Sequence, residues 1–299
     1  MTRYAPGEPN RWRGLLLMIG AGLCWSTGGV LVRSTELANG WEIVFWRSVF
    51  MVLTLGAILT VWHRGAVLRK FAAVGVWGVV SGAFLAMTFF FFILAVTMTT
   101  VANTLVTMSI MPFIAALLGW VALKEPIVPR TWVAMGAAAA GRIMMFAASL
   151  AGDGAAGMLV ALGVPFAFAV NLIVLRRHAT QVDMVPTVLI AGIISVLVAL
   201  PCALPFSASL HDVLVLAVMG AVQLGIGCML MTLAARDLSA AEIGLLSLLE
   251  TTFGPIWVWV GIGERPTDVA LVGGLVVVGA LTLNGLFGLF QERSRVPAE

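Results

Sequence analysis

Apolar runs of bilayer-crossing length follow one another along almost the whole chain. A helix needs about 20 apolar residues to cross the hydrocarbon of a membrane. Reading such runs between clusters of charge and turn residues yields ten. They cover residues 13–33, 42–62, 72–96, 99–122, 130–150, 156–176, 185–205, 212–234, 240–261 and 268–289. Only Thr97-Met98-Thr99-Thr100 separates the third from the fourth. The connections are short, so the runs form one membrane bundle with no soluble domain. A soluble domain is about 45–50% apolar and about 25% charged. This chain of 299 residues is 61% apolar and 10% charged, so its solvent is a bilayer. Its net charge of +3 therefore says little about nucleic acid.

The start could be mistaken for a secretory signal, because Arg11 and Arg13 precede the apolar run Gly14–Val32. That run is of spanning length, lacks an A-x-A cleavage site and is followed by further spans, so it reads as a first transmembrane helix. Cys24, Cys202 and Cys228 lie in apolar runs without metal spacing and read as small core residues.

Basic residues in short loops mark the cytoplasmic face. With the N-terminus inside, 13 of the 17 Lys and Arg fall on that face, Arg33 and Arg265 fall opposite, and Arg47 and Arg142 lie within spans. The asymmetry places both termini in the cytoplasm and supports an even number of spans.

The chain also repeats itself weakly. A shift of 139 residues puts Ala102 on Ala241, Trp120 on Trp259, Val121 on Val260 and Glu125 on Glu264. A shift of 143 puts Gly14 on Gly157, Gly20 on Gly163, Trp25 on Phe168 and Arg33 on Arg176. Residues 1–152 and 153–299 thus read as two five-span units. Because five is odd, the second unit enters the membrane upside down. Inverted repeats of this kind characterise secondary transporters.

The Trp25-Ser26 pair, Arg47 in the second run, and the endings LLGWVALKE (at Glu125) and LLE…GIGE (at Glu264) resemble EamA repeats of the drug/metabolite transporter superfamily. The resemblance covers nearly the whole chain. It implies an all-α integral membrane protein: ten helices, as two inverted five-helix repeats, arranged like a basket around a central cavity. It also implies a bacterial inner-membrane exporter of amino acids and related metabolites. One position departs from the pattern. The family often has proline directly after the glutamate of LLE, whereas here Thr251 follows Glu250 and proline comes at Pro255. The kink of the ninth helix is therefore expected about one turn from the family's position.

Charges within spans are the sharpest local signal, since each costs about 2.5–3.5 kcal/mol at mid-bilayer. Four qualify: Arg47, Arg142, Glu242 and Glu250. Glu250 lies near mid-membrane, with Ser247, Gly254 and Trp257 on its face. Pro255 has no N–H and frees the carbonyl of Thr251, and Pro112 does the same for Met108. The fourth and ninth helices are thus predicted to be a kinked pair, bent at Pro112 and at Gly254-Pro255. Met111 is the repeat partner of Glu250, and Asn103 and Thr107 share its face. Glu250 either lines the transport path, as a possible proton site, or serves as hydrogen-bonded helix glue. Glu242 is expected to reach water. Arg47 and Arg142 are expected to snorkel outward; the alternative is that one meets a substrate carboxylate. Trp25, Ser26, Thr88, Phe168, Asn171 and Gln223 complete the expected lining of the path.

No GxxxxGK[ST] occurs, so ATP does not drive transport directly. There is no HExxH, no GxSxG and no histidine deep in a span, so no catalytic residue, metal or cofactor is expected. The expected partners are a small-molecule substrate, amino acids above all, and membrane lipid; nucleic acid is not among them, and a monomer is compatible with the reading. Export of drug-like or other metabolites is the alternative, with a membrane enzyme or a channel less favoured.

Overall fold

The computed structural model describes residues 10–37, 39–63, 66–99, 101–146, 155–263 and 267–293. Among these the chain is helical throughout, with no strand. The helices form ten rods. Arg11–Ser26 continues across Thr27 into Gly28–Arg33 as the first. Gly40–His63 and Val67–Met98 are the second and third. Val101–Thr107, the tight turn Met108–Ile110 and Met111–Leu123 make the fourth, and Pro129–Phe146 the fifth. Ala155–Ala161 with Gly163–His178 is the sixth, and Pro186–Ala203 the seventh. Leu210–Val218, Met219–Ile226 and Gly227–Ala234 make the eighth, Ala240–Leu246 with Leu249–Ile262 the ninth, and Asp268–Arg293 the tenth. Among the described residues, eight of the rods are long and apolar enough to cross a membrane. The fifth carries Arg130 and Arg142, and the ninth is interrupted at Ser247-Leu248.

Local chemistry sets the ends. Ser239 and Glu242 form a reciprocal capping box at the start of the ninth rod, as do Ser209 and Asp212 at the start of the eighth. The fourth rod stops at Lys124 with φ 56°, and the ninth at Gly263 with φ 82°. These positions are 139 apart, so both repeats end this helix with the same left-handed residue. The third rod begins five residues earlier than the predicted residue 72, at Val67. It bends at Gly75, whose φ of 54° suits glycine. Extended Thr99 separates the third rod from the fourth.

The packing exchanges the two repeats. The first rod packs on the eighth and ninth, and the sixth packs on the third and fourth. The second meets the seventh and eighth, the seventh meets the second and third, and the fifth pairs with the tenth. Adding five to each number maps this pattern onto itself, which is the signature of a pseudo-two-fold axis. The main contacts run between repeats, so neither repeat buries its apolar faces alone. Lipid is as apolar as the side chains, so close backbone approach through small residues must hold such rods together. A Cβ on Gly141 would lie 2.6 Å from the carbonyl oxygen of Gly273, and one on Gly273 would lie 2.5 Å from that of Gly141. The fifth and tenth rods meet backbone to backbone there.

The end of the bundle at which the first rod begins carries a network of charges. Glu125 Oε1 accepts from Arg176 Nε at 2.8 Å and from Arg176 Nη2. Glu125 Oε2 accepts from the Ala240 N–H at 3.1 Å. Arg176 Nη1 donates to the carbonyl of Ala235 at 3.0 Å. Glu242, expected to reach water, instead pairs with Arg11 and is largely buried. At the other end Glu42 is fully buried and accepts from Ser207 N–H, Ser207 Oγ and Ala208 N–H, each at 2.8 Å.

Candidate functional site

A cavity of about 90 Å³ lies where the two interrupted rods meet. Its walls come from the first, second, third, fourth, sixth, eighth and ninth rods. Repeat partners face each other across it. Trp25 and Phe168 meet edge to face, with ring centroids 6.4 Å apart and planes at 79°. Met111 and Glu250 both line it, as do Met108 and Ser247, which are also 139 residues apart. Ser247 Oγ contacts Met111 Sδ at 3.2 Å, so the two interruptions touch. The cavity therefore sits on the pseudo-two-fold axis. Two partner pairs differ in polarity, with methionine in the first repeat and Ser247 or Glu250 in the second.

The interruptions have local causes. In the fourth rod Pro112 is the second residue of Met111–Leu123, and the tight turn Met108–Ile110 precedes it. In the ninth the interruption lies at Ser247-Leu248, seven residues before Pro255. Gly254 and Pro255 stand inside the continuous helix Leu249–Ile262. The expected displacement toward Gly254-Pro255 is thus corrected. Ser247 Oγ donates back to the carbonyl of Gly244 at 2.7 Å, and three-residue bonds replace the helical ladder. These run from Leu248 N to Leu245 O at 3.2 Å and from Glu250 N to Ser247 O at 3.3 Å. Such serine back-bonding competes with the helix and bends it. The ninth rod is therefore interrupted at the repeat equivalent of Met108, although its proline comes later.

Of the predicted lining, Trp25, Thr88, Met111, Phe168, Gln223, Ser247 and Glu250 face the cavity. Five others lie elsewhere. Ser26 Oγ accepts from Trp257 Nε1 at 2.7 Å, a bridge between the first and ninth rods. Asn171 is fully buried and accepts from Ser81 Oγ at 2.7 Å, joining the third and sixth rods. Asn103 donates to Thr99 Oγ1 at 2.9 Å, just before its helix, and Thr107 Oγ1 donates to the carbonyl of Asn103 at 2.7 Å, within the helix.

Arg47 and Arg142 do not snorkel. They are 2% and 3% exposed. Each stands on the packed side of its rod, where the side chain is hemmed in before it reaches the interface. Arg47 Nη2 donates to the carbonyl of Phe89 at 3.2 Å, and the guanidinium carbon lies 5.7 Å from the Phe89 ring centroid. Arg47 lines the cavity. Arg142 lies close enough to Glu250 for the two charges to interact.

Sequence reasoning missed Met108, Leu85, Phe89, Phe92, Val164, Leu224 and Cys228 as lining residues. Two signals could have found some of them. Met108 is the repeat partner of Ser247, and Leu85 and Phe92 share the helical face of Thr88. Gln223 sits in the wide-turn stretch Met219–Ile226. Wide turns of this kind cluster at functional sites, and this one is invisible in the hydropathy pattern.

The EamA-like transporter family model matches residues 12–147 and again 155–286. The chain belongs to the EamA-like transporter family. This family lies within the drug/metabolite transporter superfamily, and its members are transporters rather than enzymes. The two EamA-like matches divide the chain between the fifth and sixth rods, where the pseudo-symmetry divides it. A crystal structure of a protein 18% identical in sequence superposes with a TM-score of 0.79, covering 95% of this chain and 100% of the other. At that identity the likeness concerns the fold. No curated protein matches the sequence significantly.

Proposed function

We propose that this EamA-like protein exports amino acids with apolar or aromatic side chains, and related small metabolites, across a bacterial inner membrane by alternating access. The observation that carries the reading is the on-axis cavity, where a mostly aromatic and methionine wall surrounds a few polar groups. Apolar walls with a few placed polar groups are what a small-molecule site needs. The inverted repeat supports alternation, because exchanging the conformations of the two halves opens the cavity to the opposite side. Within the superfamily we read the chain as most similar to the aromatic amino-acid exporter YddG, and that reading favours the same substrates. The bias of basic residues supports a cytoplasmic position for both termini.

Glu250 is the proton-site candidate in this scheme, as the cavity's acidic side chain at the interruption of the ninth rod. Counterflow in proteoliposomes with a panel of amino acids, with and without a proton gradient, tests the whole reading. Saturable counterflow of apolar amino acids is expected, and Glu250→Gln should abolish its response to the gradient. Absence of counterflow for every amino acid sinks the substrate assignment. Full gradient dependence in Glu250→Gln sinks the proton role.

A further inference from the structure

The charges around the cavity do not balance. Among the described residues that line it, Glu250 is the acidic side chain and Arg47 the basic one. Arg142, buried nearby, also acts on Glu250. Arg142 is the guanidinium that acts on Glu250, so among the described residues Arg47 has no carboxylate of its own, in a medium where an uncompensated charge is expensive. Arg47 is also short of hydrogen bonds. Its Nη2 is held by the Phe89 carbonyl, but its buried Nε has no partner. Gln223, 7% exposed, lines the same cavity with its Oε1 unpartnered. Buried polar groups left unmatched by the protein point to a partner that arrives with the ligand.

We propose that Arg47 anchors a carboxylate on the transported molecule, so that the site accepts apolar carboxylates and rejects the corresponding amines. The proposal rests on reading the cavity as the transport site. A guanidinium matches a carboxylate in geometry and charge. The bond from Nη2 to Phe89 fixes the guanidinium while leaving Nε available. The ligand's carboxylate then supplies the local counter-charge that Arg47 lacks. Gln223 Oε1 and Glu250 provide acceptors for an α-ammonium where one is present. The apolar remainder packs among Phe89, Phe92, Phe168 and Met108. A drug-like cation would instead add a positive charge to a site already in excess.

Three probes of one shape separate the chemistries: phenylalanine, 3-phenylpropanoate and phenethylamine. Binding is read as ligand-induced thermal stabilisation of the purified protein at fixed chloride, and counterflow is measured in parallel. Wild type should bind phenylalanine and 3-phenylpropanoate more tightly than phenethylamine by about 30-fold or more, the scale of losing one partner of a buried charge pair. Equal binding of the first two would mark the carboxylate alone as the recognised group; tighter binding of phenylalanine would add the ammonium acceptors. Arg47→Gln should lose the preference and Arg47→Lys keep part of it. The wild-type series stands even if a variant fails to fold. Phenethylamine binding as tightly as phenylalanine, or Arg47→Gln retaining the preference, overturns the proposal. Binding of none of the three overturns it together with the substrate assignment. Carboxylate-selective binding without counterflow upholds the anchoring role of Arg47 and overturns the transport reading.

Discussion

Replacing Glu125 by glutamine should loosen the charged end of the bundle. Glu125 holds three donors: Nε and Nη2 of Arg176, and the N–H of Ala240 at the first turn of the ninth rod. The pair is only about one-fifth exposed, at 21% and 20% of the two side chains, so solvent screens it in part. Hydrogen bonds to charged groups contribute about 1.5–3 kcal/mol and neutral ones about 0.5–1.5 kcal/mol. Glutamine keeps an oxygen for one donor and loses the charge. The net loss comes to about 2 kcal/mol after screening, roughly a factor of 30 in an equilibrium. If alternation requires the fourth, sixth and ninth rods to part at this end, the loss falls on the closed state alone. The open population then rises by that factor. The assay is labelling of a single cysteine at Met111, a buried cavity residue, in a background lacking Cys24, Cys202 and Cys228. An impermeant maleimide is added on the side of the N-terminus. Labelling should accelerate by about tenfold or more in Glu125→Gln and in Arg176→Gln, and the double variant should add little, as expected for coupled partners. Unchanged labelling in a monodisperse Glu125→Gln protein would refute the assignment of this pair as a closure.

Other expectations concern stability. Gly141→Val and Gly273→Val should each lower the thermal midpoint by forcing the fifth and tenth rods apart, at an overpacking cost of about 1–3 kcal/mol. Gly136→Val, where an added Cβ meets nothing within 4 Å, should leave that midpoint unchanged. Glu42→Ala should strip hydrogen-exchange protection from the Ser207 and Ala208 amides, whose 2.8 Å bonds it accepts, while Glu42→Gln should retain part of it. Trp257→Phe and Ser26→Ala should each cost about 1 kcal/mol in the same melting assay, with a double variant no worse than either alone. Fully additive losses would exclude a working bond between them.

The cavity shows why part of its lining is legible in the sequence and part is not. Glu250, Ser247, Met111, Trp25 and Phe168 were readable because two shifts of the sequence onto itself pair them with one another or with close neighbours. A symmetry axis must run between such partners, so a site on the axis gathers them. Asn103, Thr107 and Asn171 are also polar residues in apolar runs, but each bonds a near neighbour: Asn103 to Thr99, Thr107 to the Asn103 carbonyl, and Asn171, through its Oδ1, to Ser81. Polarity within a span marks the need for a partner without saying which partner it is. Arg47 was misread for the opposite reason. Its depth suggested an escape to water, and only the packing of the second rod against its neighbours closes that escape.

By itself the sequence determined the membrane class, the number and approximate bounds of the rods and the inverted duplication. These depend on run length, charge bias and the order of residues along the chain, all of which can be read without knowing which rod stands beside which. Tertiary structure alone decided that the interruption of the ninth rod falls at Ser247-Leu248, that a wide turn carries Gln223 inward, and that Arg47 faces a cavity instead of water. Each of these depends on which rod stands beside which. In an apolar solvent that choice is made by backbone fit and by a few buried polar partners, and hydropathy is silent about both.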